Sequence, residues 1–147
     1  MELAGDIMLH DDVSAEALRR GAASGFGVSI TRVAIRELGT SWPADADVVI
    51  QLWENLPGDW PSMYNLYVTD EQFDNIQKHL AAFAHALGVP ILTGAPVEDP
   101  FIYELYLADG SSHEVEFFQN EDDGGFYDTP EVRDLIAQST PPIALAS

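Results

Sequence analysis

Apolar and polar residues alternate through residues 101–118, FIYELYLADGSSHEVEFF, more regularly than anywhere else in the chain. Phe101, Tyr103, Leu105 and Leu107 fall on one side of a strand, and Ile102, Glu104, Tyr106 and Ala108 on the other. On the return, His113, Val115 and Phe117 form the more apolar side, opposite Glu114, Glu116 and Phe118. A two-residue Asp109-Gly110 turn would set Leu105 against Glu114. A three-residue loop, Ala108-Asp109-Gly110, closes on Leu107 and Ser111. It matches Leu105 with His113, Tyr103 with Val115 and Phe101 with Phe117. The expected hairpin therefore has the longer loop, with Gly110 left-handed in a bulge. In that register Glu104 faces Glu114, with Glu116 beside Ile102. Like charges across a sheet repel, so the cluster suits a cation, a partner, or water and salt.

The rest of the chain extends this unit. Residues 5–10 contain Ile7-Met8-Leu9 and predict a first strand. A helix follows over residues 14–24, capped by Ser14 and stapled by Val13 on Leu18, with Arg19 and Arg20 outward and Gly25 or Gly27 at its end. Strands are expected over residues 32–38, 47–54 (Val48, Ile50 and Leu52 together) and 63–68 (Tyr64, Leu66 and Val68 inward). The strongest helical signal covers residues 70–87. There Thr69 and Gln72 fit a capping box, Phe73, Ile76, Leu80, Phe83 and Leu87 make one apolar stripe, and Gly88 terminates. Residues 91–93 suggest a short strand. Thr129 and Pro130 open a last helix packed through Val132, Leu135 and Ile136. From Ser139 a loosely held tail is expected.

The resulting order is βαβββαβββα. It implies an α+β fold: a two-layer sandwich with a mainly antiparallel or mixed sheet of about five to seven strands and two principal helices on one face. Length and the lack of a linker make residues 1–147 a single domain.

Charge adds a direction to this picture. The chain carries a net charge of −19 from 25 acidic and 6 basic residues. Four of the basic residues, Arg19, Arg20, Arg32 and Arg36, precede Glu37. From Glu37 to Val132 there are nineteen acids and one basic residue, Lys78. Phosphate backbones and anionic membranes are disfavoured partners, and a basic protein is the favoured one. The plainer account of the same charge is solubility. Cysteine is absent, which removes disulfides, thiolate nucleophiles and thiolate metal sites. No apolar run approaches the roughly 20 residues of a membrane span, and the N-terminus lacks a signal-peptide pattern, so the expected location is the cytoplasm.

Motifs for chemistry are sparse. The four histidines lack zinc-site spacing, including His10 beside Asp11-Asp12 and the pair His79 and His85. Residues 120–125, NEDDGG, lack the ordered calcium-loop pattern. Ser24, Ser41 and Ser112 sit in no nucleophile elbow, and the glycines of residues 21–27 follow a helix rather than a strand. No catalytic, cofactor or metal residues are assigned.

The expected function is a non-enzymatic protein-binding module, an inhibitor in the manner of an immunity protein or antitoxin that covers a basic toxin or nuclease surface. Trp53, Trp60, Tyr67, Tyr106 and Phe118 would anchor the partner, in the field of Glu104, Glu114, Glu116, Glu121, Asp122 and Asp123. The alternatives are a small hydrolase or divalent-cation-dependent enzyme, and a self-associating structural subunit.

Overall fold

The computed structural model describes residues 1–139. The strands are β1 (Glu2–Leu9), β2 (Val33–Arg36), β3 (Val48–Asn55), β4 (Ser62–Val68), β5 (Ile91–Gly94), β6 (Ile102–Tyr106) and β7 (Ser112–Glu116). The helices are α1 (Ala15–Phe26), α2 (Asp70–Phe73), α3 (Ile76–Leu87) and α4 (Pro130–Ser139), with a 3-10 turn at Ile30–Arg32. The strands form one seven-stranded sheet in the order β2-β3-β4-β1-β5-β6-β7. Only β2 and β3 pair in parallel, so the sheet is mixed. The expected α+β sandwich is the observed one.

Strand alternation decides what each face buries. Ile7, Leu9, Val48, Ile50, Leu66, Val68, Ile91 and Tyr106 turn to one face. There they meet Leu18, Ala22 and Phe26 of α1 and Leu80, Phe83 and Ala84 of α3. On the other face Met8, Leu92, Leu105 and Val115 join Trp60, Phe117, Phe126 and Val132, with Leu135 and Ile136 of α4 packed alongside. The last helix thus adds a partial third layer over the β1-β5-β6-β7 half. The β2-β3-β4-β1 half of this face carries a polar row instead. Arg36 donates to Gln51, Gln51 to Asn65 (3.2 Å) and Asn65 to Asp6 (2.6 Å), which lets Gln51 lie buried with its amide satisfied.

The hairpin has the register its alternation demands. Leu105 pairs with His113, Tyr103 with Val115 and Glu104 with Glu114, and the Phe117 amide donates to the Phe101 carbonyl. The Gly110 amide closes on the Leu107 carbonyl at 2.9 Å with φ +88°, a conformation an L side chain resists. Ser14 caps α1 by accepting the Ala17 amide, and Thr129 accepts the Val132 amide of α4.

Three local expectations change. The helix over residues 70–87 is two: it breaks at Asp74-Asn75, residue types whose side chains compete for backbone groups, and Thr69 makes no side-chain cap. Phe73 consequently leaves the apolar stripe and is exposed. Arg19 folds back from the surface to donate to the Val33 and Ile30 carbonyls, tying α1 to the start of β2. Of the two glycines expected at the end of α1, Gly27 is the cap, as expected, and Gly25 lies inside the helix. Ser139 is the buried last residue of α4; the remainder of the expected tail lies outside the described residues.

Candidate functional site

The sheet sorts the eleven candidate residues into separate groups. Trp60 is 0% exposed and Tyr106 1%, so neither ring can serve a partner. Tyr106 lies under α3, where burial and the neighbouring Glu104 carboxylate push its hydroxyl far above the ordinary value, and it donates to Glu104. The Gln77 amide also donates to Glu104, at 2.8 Å. These two aromatics are core residues, a correction to the anchoring set.

Trp53 is 51% exposed, at the residue where the β3–β4 register shifts between Leu52 and Glu54. Tyr67 is half-buried, with the Trp42 ring edge-on at 4.9 Å and the Arg36 guanidinium over Trp42 at 5.0 Å. Both belong to the β3–β4 side of the sheet. Phe118 follows β7, the last strand, 55% exposed. From second to seventh place in the sheet is about 24 Å at the usual strand spacing. The ends also differ, because β3 finishes beside the start of β4 while β7 finishes beside the start of β6. Trp53 and Phe118 therefore do not share a patch.

The hairpin does gather a site. Glu114, Val115, Glu116 and Phe118 line a shallow groove of about 550 Å³ with Thr129-Pro130-Glu131 at the start of α4, and with Ile102. Phe101 lies 4.9 Å from Phe118, ring to ring, and is also exposed. Sequence reasoning placed Phe101 inward opposite Phe117. Its backbone does pair there, but it precedes the first residue of β6 and its ring turns out to Phe118. Glu131 was missed as well; only the return of α4 beside β7 brings it to the groove.

The edge carries backbone chemistry too. Odd-numbered residues of β7 bond to β6, as the Phe117–Phe101 link fixes. By ladder alternation, Ser112, Glu114 and Glu116 turn their amides and carbonyls outward from the sheet's end. Beyond the groove, Glu121, Asp122 and Asp123 stand exposed on a loop closed on itself. Asn120 accepts the amides of Asp122 and Asp123, and Asp123 accepts from the Tyr127 hydroxyl, the main cause of its lowered pKa, and from the Gly125 amide. Among the described residues no group of three or more His, Asp or Glu side chains is arranged to hold a metal ion, and no helix is long and apolar enough to cross a membrane.

A separate polar network clamps this region to β1. His10 Nε2 meets Asp128 Oδ2 at 2.7 Å, the Trp60 Nε1–H donates to Asp128 Oδ1 at 2.9 Å, and the Asp128 amide donates to Asp59 at 2.8 Å. The hydrogen bond to Asp128 chiefly holds the His10 pKa above its ordinary 6.5; burial opposes, and the charges of Asp128, Asp11 and Asp59 add to the rise. Because the folded value is the higher, the contribution to stability is complete below 6.5 and is lost as pH rises through the folded value. The urea midpoint of the protein is expected to lose this component as pH rises from 6.5 through the raised folded value, and His10→Gln should lack it. Parallel pH dependences for the two proteins would refute the assignment.

Comparison with protein-family models, with curated proteins and with solved structures gives no match to this chain.

Proposed function

We propose that this protein is a non-enzymatic binding module whose β7 edge docks a basic protein, acting as an inhibitor in the manner of an immunity protein or antitoxin. The observation that carries the reading is the groove beside β7, where Glu114, Glu116 and Glu131 share the lining with the exposed Phe118, whose ring carries Phe101 against it. Aromatic rings at a partly dry surface supply affinity, and surrounding carboxylates steer and select lysine- and arginine-rich partners. The outward backbone groups of Glu114 and Glu116 add a mode of docking, pairing with an extended basic segment. The same glutamates oppose pairing with a second copy, since like charges would meet across the new ladder. That weighs against the self-associating subunit. The hydrolase alternative calls for a histidine among converging acids, and this groove is lined by none.

The test begins with immobilised protein in its native extract at low and high salt, continues with the captured basic protein purified, and ends with its affinity for variants. Phe118→Ala and the pair Glu114→Lys, Glu116→Lys should each weaken binding by about tenfold or more, while Trp53→Ala leaves it unchanged. The reading fails if no basic partner is recovered, or if the β7 variants bind as well as the parent.

A further inference from the structure

A second cleft opens inside the sheet, and its origin is a mismatch of strand lengths. β1 pairs with β4 along its whole length, but with β5 only from Ile7–Thr93 to Leu9–Ile91. Beyond Thr93 the two central strands part. The bulge between Leu3 and Gly5 bends β1, and β5 ends at Gly94. The gap has a volume of about 380 Å³ and passes beneath the first turns of α3, where Ile76, Gln77 and Leu80 border it.

Its walls combine apolar surface with acidic groups. The His10 amide donates to the Pro90 carbonyl at 3.1 Å, so even-numbered residues of β1 and β5 face each other through their backbones. Asp6 and Gly94 come next in that series, where the Ile7–Thr93 pairing closes with the Gly94 amide donating to the Asp6 carbonyl. The ladder stops there, and the Gly94 carbonyl accepts from the Thr93 hydroxyl at 3.4 Å. Two carboxylates stand at the same cleft, one from each face. Asp6 shares its face with Asn65, from which it accepts, and Glu104 shares the helical face with Tyr106 and Gln77. Ile7, Met8, Leu66 and Leu80 supply the apolar wall.

We infer that this cleft is a binding site for an alkyl cation, a protonated amine or guanidine on an aliphatic chain. The apolar wall accepts the chain, and the carboxylates neutralise the head and accept its N–H groups. An anion would meet two carboxylates, and a fully apolar ligand would leave both carboxylates without a counter-charge. This site is separate from the β7 groove and does not depend on it.

The chemistry can come from a free amine or from a lysine or arginine side chain, and amide-resolved NMR titration separates them. The probes are hexylamine, hexylguanidine, the capped tripeptides Gly-Lys-Gly and Gly-Arg-Gly, and hexanol. The alkyl cations should shift the Asp6, Gly94 and Gln77 amides, and Glu104→Gln or Asp6→Asn should weaken them about fivefold or more. Binding of the tripeptides as well assigns the site to a partner's side chain; binding of the alkyl cations alone assigns it to a free amine. The inference is overturned if those amides stay still, if hexanol shifts them as strongly as hexylamine, or if both carboxylate variants bind the cations like the parent. Thermal unfolding of each variant, monitored by circular dichroism, confirms that the comparison is between folded proteins.

Discussion

Trp60→Ala should lower folding stability by about 3–5 kcal/mol, a large share of the roughly 5–15 kcal/mol available to a domain. The indole is fully buried between three partners. It meets the His10 ring at 4.9 Å and Phe117 at 6.0 Å, both near perpendicular, and its N–H donates to Asp128. Truncation opens a cavity in the second core and also removes a donor from a carboxylate that is largely shielded from water. Trp60→Phe loses the donor but keeps part of the volume, so it should cost less. Urea unfolding followed by far-ultraviolet circular dichroism measures both. At this chain length the alanine variant should melt on the order of 10 °C lower. A loss below about 1 kcal/mol for alanine would mean that the indole is not the keystone between β1 and the segment leading to α4.

That tryptophan also marks the limit of what the sequence could disclose. It lies in LPGDWP, a run whose glycine and prolines announce a loop, and an aromatic ring in a loop reads as an accessible anchor. Its partners are nonlocal: Asp128 is 68 residues away, and His10 reaches Asp128 across 118. No periodicity encodes such contacts. The hairpin is the opposite case. Its register follows from side-chain alternation and one glycine, all within residues 101–118, so the facing of Glu104 and Glu114 was legible before any fold. The two-helix layer was legible for the same reason, because apolar stripes repeat at three and four residues. The break at Asp74-Asn75 was masked by an apolar spacing that runs through it. The site divides along this line. Glu114, Glu116 and Phe118 are local to the hairpin and come together, whereas Trp53 was grouped with them by composition, which carries no distance. The cleft between β1 and β5 was invisible, since it arises from the unequal reach of two strands more than 80 residues apart.

Gly25→Ala should be the second most damaging of these single changes, because α1 and α3 touch there backbone to backbone. A Cβ built at Gly25 would lie 2.5 Å from Phe83 Cα and 2.6 Å from Phe83 N. Neither atom can swing aside as a side chain tip would, so the helices must separate. Separation loosens Leu18, Ala22 and Phe26 from Leu80, Phe83 and Ala84, the contacts that seal the larger core. It also disturbs the His79 ring, stacked on Phe26 at 5.2 Å with its Nδ1 3.2 Å from the Gly25 carbonyl. Overpacking of this kind costs about 1–3 kcal/mol. Alanine returns about 0.5–1 kcal/mol through its better helix propensity, so the net loss should be on the order of 1–2 kcal/mol. Gly94→Ala is the matched control: open space surrounds that position, and its change should stay within about 0.5 kcal/mol. Urea midpoints of the two variants decide the matter. If Gly25→Ala proves neutral or stabilising, the close crossing of α1 and α3 is not what positions α3 over the β1–β5 cleft, and the cleft's roof must be held by another contact.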